Sequence, residues 1–309
     1  MAAQVTLRYR LAAKTLQAFS CNALTRRSYR AIANAIGGRS RAKRIPAHYI
    51  ERADRNLRFV EANGAIADGQ TVLELGTGWV HWESIFTRLF YDVEIVMFDV
   101  WDNRQFDAFC TYVRQLRDNL SLLDHRGEAA LARAAALASQ VLDCSSFAEV
   151  YRLLGLRHVI HPDGRLDAVA AHSIDLVISS DVMEHIPVEA MPQLAADLHR
   201  IVKPGGYVSQ QIVEADHLRI YDRSVHSKIY LQFSESEWQR SFANDVQYIN
   251  RWQHSDFVKF FEQQGFEIVA HRPVTLVDIA DLDIAERWRD YDADDLAITV
   301  SRLLLRNPA

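Results

Sequence analysis

From about residue 70 to the end of the chain, short apolar runs of strand type alternate with segments of helical periodicity. This order predicts a mainly parallel sheet with crossover helices, because parallel neighbours cannot be joined by tight hairpins. The pattern predicts seven strands, at 71–75, 93–98, 157–160, 174–180, 207–213, 266–271 and 297–304. It predicts helices at 79–90, across 105–141, and at 187–201 and 255–264, with a turn at 203–206 that ends the third of them.

The N-terminal segment differs from the rest in charge. The first 58 residues carry 13 lysines and arginines but only Glu51 and Asp54, whereas the whole 309-residue chain has a net charge of −5. Such a segment can contact an anionic membrane surface or an acidic partner. It can equally be a solvated helical extension whose arginines pair with the acidic body. An arginine-rich, acid-poor start also suits an organellar presequence, and all three interpretations stay open at this stage.

We predict two parts in the chain, a basic helical extension over 1–60 and an α/β domain over 61–309. The domain carries a helical insertion at about 102–156. A second long connection, at about 214–254, is polar, aromatic and poorly periodic. Long connections in compact domains are often lids or binding loops, so we expect the substrate contacts there.

Cysteine content and charge limit the location and the partners. Cys21, Cys110 and Cys144 are widely spaced and form no metal-binding pattern, which indicates reduced thiols in a cytoplasmic protein. The basic segment leaves open a peripheral contact of this protein with a membrane. The acidic body lacks any recognised nucleic-acid module, so we expect no DNA or RNA partner. The sequence leaves the oligomeric state open.

A glycine-rich turn follows the first predicted strand. Residues 72–78 read Val-Leu-Glu-Leu-Gly-Thr-Gly and run into an amphipathic helix. Glycines allow the backbone to approach a ligand closely, and the helix N-terminus offers free N–H groups. A dinucleotide-binding fingerprint would have a small residue where this chain has His81, which argues against NAD. Glu74 would repel a pyrophosphate but favour a ligand that carries an ammonium group.

Other strand ends also carry polar side chains on the same predicted edge of the sheet, where open α/β sheets bind ligands. Asp99, after the second strand, can accept both hydroxyls of a ribose. Asp163, in the turn after the third strand, can accept from an adenine amino group. The fourth strand leads into Asp-Val-Met-Glu-His-Ile-Pro at 181–187.

Four motifs in this order resemble the class I S-adenosylmethionine-dependent methyltransferases: Leu-Glu-Leu-Gly-Thr-Gly at 73–78, Phe-Asp at 98–99, Ser-Ile-Asp-Leu-Val at 173–177 followed by Glu-His-Ile-Pro at 184–187, and Leu-His-Arg-Ile-Val-Lys-Pro-Gly-Gly at 198–206. The resemblance covers about 71–213 and implies a Rossmann-like seven-stranded methyltransferase sheet whose last strand is antiparallel. It implies S-adenosylmethionine as the cofactor. The cofactor-binding residues that it implies are Glu74, Gly76, Thr77, Gly78, Asp99, Asp163 and Asp181. The stretch Trp-Val-His-Trp at 79–82 departs from the pattern, because many members have a further glycine there.

The resemblance implies methyl transfer, and we predict a small-molecule or glycan acceptor that is methylated at a hydroxyl oxygen. The glycan part follows from a looser similarity to bacterial methyltransferases encoded with glycan-assembly enzymes. A histidine can remove the hydroxyl proton because its ordinary pKa is about 6.5. The candidates are His217, His185 and then His226, with Asp216 or Asp222 as the residue that orients the histidine.

Three alternatives accompany this prediction. His217, Asp216 and Asp222 could together hold a metal ion, although we predict no metal. The glycine turn also suits an NAD-linked Rossmann dehydrogenase. A non-catalytic membrane- or partner-binding protein that retains the cofactor fold would explain the basic segment.

Overall fold

A seven-stranded mixed sheet forms the centre of the computed structural model, which describes residues 4–46 and 48–308. Its strands lie in the order β3-β2-β1-β4-β5-β7-β6. They are β1 (Thr71–Leu75), β2 (Glu94–Asp99), β3 (Leu156–Ile160), β4 (Ile174–Ser180), β5 (Val202–Val213), β6 (Glu267–Leu276) and β7 (Ile298–Arg306). Strands β1 to β5 pair in parallel, and β7 is antiparallel to both β5 and β6. The predicted Rossmann-like sheet with an antiparallel last strand is confirmed.

The central strands are apolar because helices cover both faces of the sheet. Leu75 of β1 lies beside Phe98 of β2 and beside Ser179 of β4. This register places the carboxyl ends of β1, β2 and β4 next to one another. The polar residues that follow these strands therefore meet at one edge.

Eleven α-helices surround the sheet in the described part of the chain. They are α1 (Leu7–Ser20), α2 (Ala23–Arg41), α3 (His48–Ala62), α4 (Trp82–Phe90), α5 (Phe106–Asp118), α6 (Glu128–Leu142), α7 (Phe147–Leu154), α8 (Met191–Ile201), α9 (Glu235–Ser241), α10 (His254–Gln263) and α11 (Ala293–Ala297). No helix among the described residues has the length and apolar character that crossing a membrane requires.

The helical stretch predicted across 105–141 is divided in two. Helix α5 ends at Asp118, a 3-10 segment spans Leu120–Arg126, and α6 begins after Gly127. Gly127 has φ +81°, a backbone conformation that a helix cannot contain and that glycine adopts readily. Together with α7, these helices form the connection between β2 and β3.

The predicted turn at 203–206 lies inside β5 rather than before it. Val202 already pairs with Ile174, and the pairing resumes with a shifted register at Tyr207 and Leu176. The extra residues therefore form a bulge, in which Gly205 has φ +81°.

The N-terminal helices pack against different parts of the molecule. Helix α3 buries Ile50 and Leu57 in the main core beside the sheet. Helix α1 buries Tyr9 and Leu16 in a separate cluster with residues of the 214–296 region, among them Trp238. Helix α2 has no buried residue. A boundary near residue 60 stays a prediction.

Candidate active site

The glycine turn after β1 lies directly beside Asp99. Gly76 and Gly78 have φ values of +76° and +62°, in the left-handed region that glycine tolerates best. The Gly78 N–H donates to Asp99 Oδ2 at 2.8 Å, and the Val100 N–H donates to Asp99 Oδ1 at 2.7 Å. Burial raises the pKa of Asp99, although these backbone donors favour its ionised form. Gly76, Gly78 and Asp99 thus meet as the sequence predicts.

The two glycines have different surroundings. A Cβ atom on Gly76 would overlap Cγ2 of Val182, in the segment that follows β4. A Cβ atom on Gly78 would meet no atom within 4 Å. Gly76 therefore lets the β1 and β4 ends approach each other, whereas Gly78 borders open space.

This difference leads to a stability prediction. We expect Gly76→Ala to lower the free energy of unfolding by about 2–4 kcal/mol, because backbone strain and overlap with Val182 add together. Gly78→Ala is the matched control and costs only about 1 kcal/mol, the strain of a positive φ. Urea unfolding of both variants measures the difference. Equal losses would contradict the role of Val182, and Val182→Ala combined with Gly76→Ala should recover part of the loss.

A chain of hydrogen bonds runs beneath the turn from Glu74. The Thr77 hydroxyl donates to Glu74 Oε2 at 2.9 Å, and the Ser84 hydroxyl donates to the same oxygen. His81 Nδ1 lies 2.7 Å from Thr77 Oγ1, and His81 Nε2 lies 2.7 Å from the Tyr151 hydroxyl. Since Thr77 uses its proton toward Glu74, His81 Nδ1 is the donor and Nε2 the acceptor.

His81 accounts for the departure of residues 79–82 from the family pattern. It occupies a left-handed conformation, with φ 49°, immediately before α4, and it is fully buried. Burial lowers the pKa of His81 to about 3, so its ring is neutral. The histidine shapes the turn through the hydrogen bonds to Thr77 and Tyr151. The sequence does not indicate this partnership, because Tyr151 lies in the helical insertion.

Burial raises the pKa of Glu74 to about 7. In the unfolded chain the pKa is near 4.5, so between these values the folded state binds the extra proton. The contribution of Glu74 to the free energy of unfolding therefore falls as pH rises through this window, with a slope that approaches ~1.4 kcal/mol per pH unit. We expect Glu74→Gln to gain stability relative to the wild type from pH 5 to about pH 7. Parallel pH profiles of the two proteins would contradict this assignment.

The two other aspartates that the sequence predicts to bind the cofactor, Asp163 and Asp181, differ in exposure and in hydrogen-bond partners. Asp163 is exposed in the turn after β3, and the His161 N–H donates to the Asp99 carbonyl oxygen at 3.1 Å. Asp181 is already paired, since Arg52 Nη1 donates to its Oδ2 at 2.7 Å and Gln211 Nε2 to its Oδ1 at 3.0 Å. The cofactor contacts of both aspartates stay predictions.

Arg52 is a residue that the sequence analysis missed. Arg52 lies on α3, and its guanidinium pairs with Asp181 at 2.7 Å and with Glu83 at 3.1 Å. It therefore bridges two acids at the edge of the sheet. Only its position in a basic segment indicated a role. The arginine ties α3 to the segment that follows β4.

Three polar side chains converge where β4 and β5 end. His185 and His217 stack with ring centroids 4.7 Å apart, and a ligand atom from each lies within 4.8 Å of one from Glu184. His185 Nδ1 lies 2.7 Å from the Tyr248 carbonyl oxygen. No side-chain group donates to either carboxylate oxygen of Glu184, and Nδ1 of His217 has no hydrogen-bond partner, although all three atoms are buried. The backbone N–H groups of Glu184 and Val213 are the donors near the Glu184 carboxylate. Its oxygens keep lone pairs that a bound molecule can use.

The surroundings shift the titration of all three groups. Burial lowers the pKa of His217 to about 3, and the neighbouring His185 contributes to that shift. Desolvation also lowers the pKa of His185, and burial raises that of Glu184 well above its ordinary range. The expectation of an ordinary histidine pKa near 6.5 does not hold for His217 here. Both imidazoles are neutral at pH 7.

The two acids predicted to orient His217, Asp216 and Asp222, accept hydrogen bonds from other residues. Asp216 Oδ2 accepts from the Tyr9 hydroxyl at 2.6 Å, and its Oδ1 accepts from the Leu218 N–H at 2.8 Å. Asp222 accepts from Thr6 and Ser224. The metal group considered from the sequence, which joined these two acids to His217, therefore does not form. His226 is also occupied, with its Nε2 2.8 Å from the Asp278 carbonyl oxygen.

A polar cleft lies near this group of three, although Glu184, His185 and His217 are not among its lining residues. It has a volume of about 880 Å³ and is lined by residues that include Trp238, Tyr248, Asn250, Arg251 and Trp252. The Asn250 N–H donates to the Glu184 carbonyl oxygen at 2.8 Å. Most of the lining comes from the 214–254 region, where the sequence analysis expects substrate contacts.

The segment around His217 is fixed to the sheet. Lys228 is fully buried, and its Nζ donates to the Glu214 carbonyl oxygen at 3.2 Å, to Gln253 Oε1 at 2.6 Å and to the Ile298 carbonyl oxygen at 2.8 Å. The Tyr230 hydroxyl donates to the Glu214 carbonyl oxygen at 2.6 Å. These contacts hold the chain immediately before His217 against β5 and β7.

Sequence comparison assigns most of the chain to one family. A family model described as a methyltransferase domain matches residues 46–271. Among curated protein sequences, none matches the chain significantly.

Some solved structures of methyltransferases are similar to this chain at low sequence identity. Phosphoethanolamine N-methyltransferase 2 of Haemonchus contortus, in complex with S-adenosyl-L-methionine, is 14% identical with a TM-score of 0.46, and the match covers 83% of this chain and 53% of that one. This chain thus spans about half the length of that enzyme. An S-adenosylmethionine-dependent methyltransferase of Mesorhizobium loti is 14% identical with a TM-score of 0.44, over 81% of this chain and 96% of that one.

Proposed function

The chain belongs to the class I S-adenosylmethionine-dependent methyltransferases, and we propose that it methylates a hydroxyl oxygen of a small molecule or glycan. S-adenosylmethionine is the methyl donor, and it supplies an electrophilic methyl group on a sulfonium. Because the chain belongs to this family, the alternative of an NAD-linked dehydrogenase no longer applies. The nature of the acceptor and of the methylated atom is the part that we propose.

The residues at the β1 and β2 ends fit the donor. Gly78 borders open space, so its bare backbone leaves room for a ligand. The Asp99 carboxylate lies beside it and is 9% exposed, which suits an acceptor of ribose hydroxyls. Glu74 lies beneath the turn and, when ionised, favours the positive charges of the donor.

The observation that carries the proposal is the group of Glu184, His185 and His217. Its buried lone pairs lie at the ends of β4 and β5, and Val182, two residues before Glu184, contacts the glycine turn. Removing a hydroxyl proton is the step for which a methyltransferase needs side-chain chemistry, because the methyl transfer itself depends mainly on alignment. The group supports an oxygen acceptor for this reason.

The cleft beside this group supports a polyhydroxylated acceptor. Its lining includes the half-buried aromatic residues Tyr248 and Trp252 and the exposed amide residue Gln239. Aromatic surfaces with a few well-placed polar groups are typical of small-molecule sites. We assign the acceptor to this cleft.

The test is a transfer assay with S-adenosylmethionine that carries a deuterated methyl group. Sugars and other alcohols are compared with their deoxy analogues and with amines, and the products are analysed by mass spectrometry. We expect a labelled methyl group on a hydroxyl and none on the matched deoxy compound. Transfer to amines alone would overturn the oxygen assignment. Donor binding without transfer to any acceptor would favour the non-catalytic alternative.

A specific observation also favours contact between α2 and an anionic membrane surface. Leu24 and Ile36 are 73% and 65% exposed, and Arg27 and Arg39 lie exposed along the same helix. Exposed apolar side chains flanked by arginines suit an interfacial helix. Sedimentation with phosphatidylglycerol vesicles should therefore weaken for Arg27→Glu combined with Arg39→Glu. Unchanged sedimentation at low salt would contradict this contact.

A further inference from the structure

Among the described residues, one group of potential metal ligands converges, and it is the group of Glu184, His185 and His217. We propose that these side chains hold a divalent first-row transition-metal ion and that the ion binds the acceptor hydroxyl. The second half of this proposal rests on the proposed function. The first half stands on the geometry of the three side chains alone.

The Glu184 carboxylate gives the strongest argument. It is 2% exposed and has no side-chain hydrogen-bond partner, and the donors near it are the backbone N–H groups of Glu184 and Val213. A buried carboxylate without a side-chain partner or a cation is costly, and other buried acids in this chain have side-chain donors. Glu74 accepts from Thr77, and Asp216 accepts from Tyr9. A cation on Glu184 would supply the missing partner.

The two histidines present nitrogen ligands to the same place. His217 Nδ1 is buried without a partner, and its ring stacks on that of His185. His185 Nδ1 lies 2.7 Å from the Tyr248 carbonyl oxygen, so this nitrogen carries the proton and Nε2 has the free lone pair. A second ring nitrogen that donates to a backbone carbonyl is typical of metal-binding histidines.

The ligand set indicates the kind of ion. Two imidazoles and one carboxylate suit Mn²⁺, Fe²⁺, Co²⁺ or Zn²⁺ better than Mg²⁺ or Ca²⁺, which prefer oxygen ligands throughout. Ligand atoms bind such an ion at about 2.0–2.2 Å, so the side chains would draw together by on the order of 1 Å. Three protein ligands leave coordination positions open for a substrate oxygen.

An ion at this place changes how the acceptor loses its proton. The bound hydroxyl becomes more acidic, and its proton passes to water rather than to His217. The oxygen then forms a bond to the methyl carbon of S-adenosylmethionine while the carbon–sulfur bond breaks. The sulfur keeps the bonding electron pair and leaves as the neutral thioether of S-adenosylhomocysteine. His217 is then a ligand, not the base predicted from the sequence.

The metal site is tested by equilibrium dialysis of the full chain, without an affinity tag, against Co²⁺. We expect one Co²⁺ per chain and visible absorption bands of the bound ion. Glu184→Gln and His217→Asn should each weaken binding at least about tenfold, as loss of a ligand does. The matched control is His271→Asn, because His271 and His254 also stack, at 5.2 Å, but belong to no group of three ligands. Equal Co²⁺ affinity of all four proteins, or no binding to the wild type, would overturn the site.

Turnover separates the metal site from the proposed function. Treatment with a chelator should abolish methylation of the hydroxyl acceptor, and added Co²⁺ or Mn²⁺ should restore it. Full turnover of metal-free protein would overturn the role of the ion in the reaction. Binding of Co²⁺ at Glu184 without methylation of any hydroxyl would support the site and overturn the proposed function. Titration with S-adenosylhomocysteine confirms that each variant is folded.

Discussion

Replacement of Asp99 by alanine is expected to weaken binding of S-adenosylmethionine by roughly 10- to 100-fold, which isothermal titration calorimetry measures directly. A hydrogen bond to a charged group contributes about 1.5–3 kcal/mol, and the ribose would lose its acceptor. The change also removes the partner of the Gly78 N–H and the Val100 N–H. The backbone of the glycine turn would therefore lose a support at the same time.

Asp102 provides the matched control for this prediction. It is an exposed acid three residues further along, and its carboxylate accepts from Arg104 at 2.6 Å rather than from the backbone of the glycine turn. Asp102→Ala should bind the donor like the wild type. If Asp99→Ala did so too, the placement of the ribose at β2 would be wrong. Titration with NADH should show no binding to either protein.

The second large effect is expected at His217. His217→Ala should lower kcat by roughly 10²–10⁴-fold, because the hydroxyl proton would no longer be removed efficiently. Affinity for S-adenosylhomocysteine should not change, since the residues proposed to bind the donor lie at the ends of β1 and β2. Steady-state kinetics and a separate binding titration distinguish these two quantities.

His226→Ala is the control histidine for the kinetic experiment. His226 lies in the same region as His217, but its ring nitrogens are occupied by the Asp278 carbonyl oxygen and the Lys228 N–H. Its loss should leave kcat within a few-fold of the wild type. Equal kcat for His217→Ala and the wild type would remove His217 from the reaction.

Local sequence signals were sufficient for the positions of the strands, whereas the antiparallel last strand followed from the resemblance to the methyltransferase family. Apolar runs such as 71–75 and 174–180 are buried on both faces in the structure, so their composition reflects their position directly. The adjacency of Gly76 and Asp99 followed from parallel pairing of the strands that precede them. The break at Gly127 was missed, because the alanine-rich residues on its C-terminal side are good helix formers and obscure it.

The chemistry of individual side chains depended on contacts that are distant in sequence. Asp216 follows the predicted strand and precedes His217, which suggested a pair, yet its carboxylate binds Tyr9, 207 residues away. Glu184 and His185 were visible as a Glu-His pair, but the absence of a side-chain partner for Glu184 depends on how three segments pack. No spacing rule for a single chain encodes such long-range partnerships.

The packing of α1 has a practical consequence for work with shortened proteins. Tyr9, Ala13 and Leu16 complete an apolar cluster that includes Trp238, which also lines the proposed acceptor cleft. A variant that starts after residue 44 would expose the apolar side chains of Leu218, Tyr230 and Trp238 to solvent. We therefore expect this variant to self-associate. Loss of vesicle binding in such a deletion would report misfolding as readily as a missing lipid contact. Point changes on the outward side of α2 avoid this ambiguity.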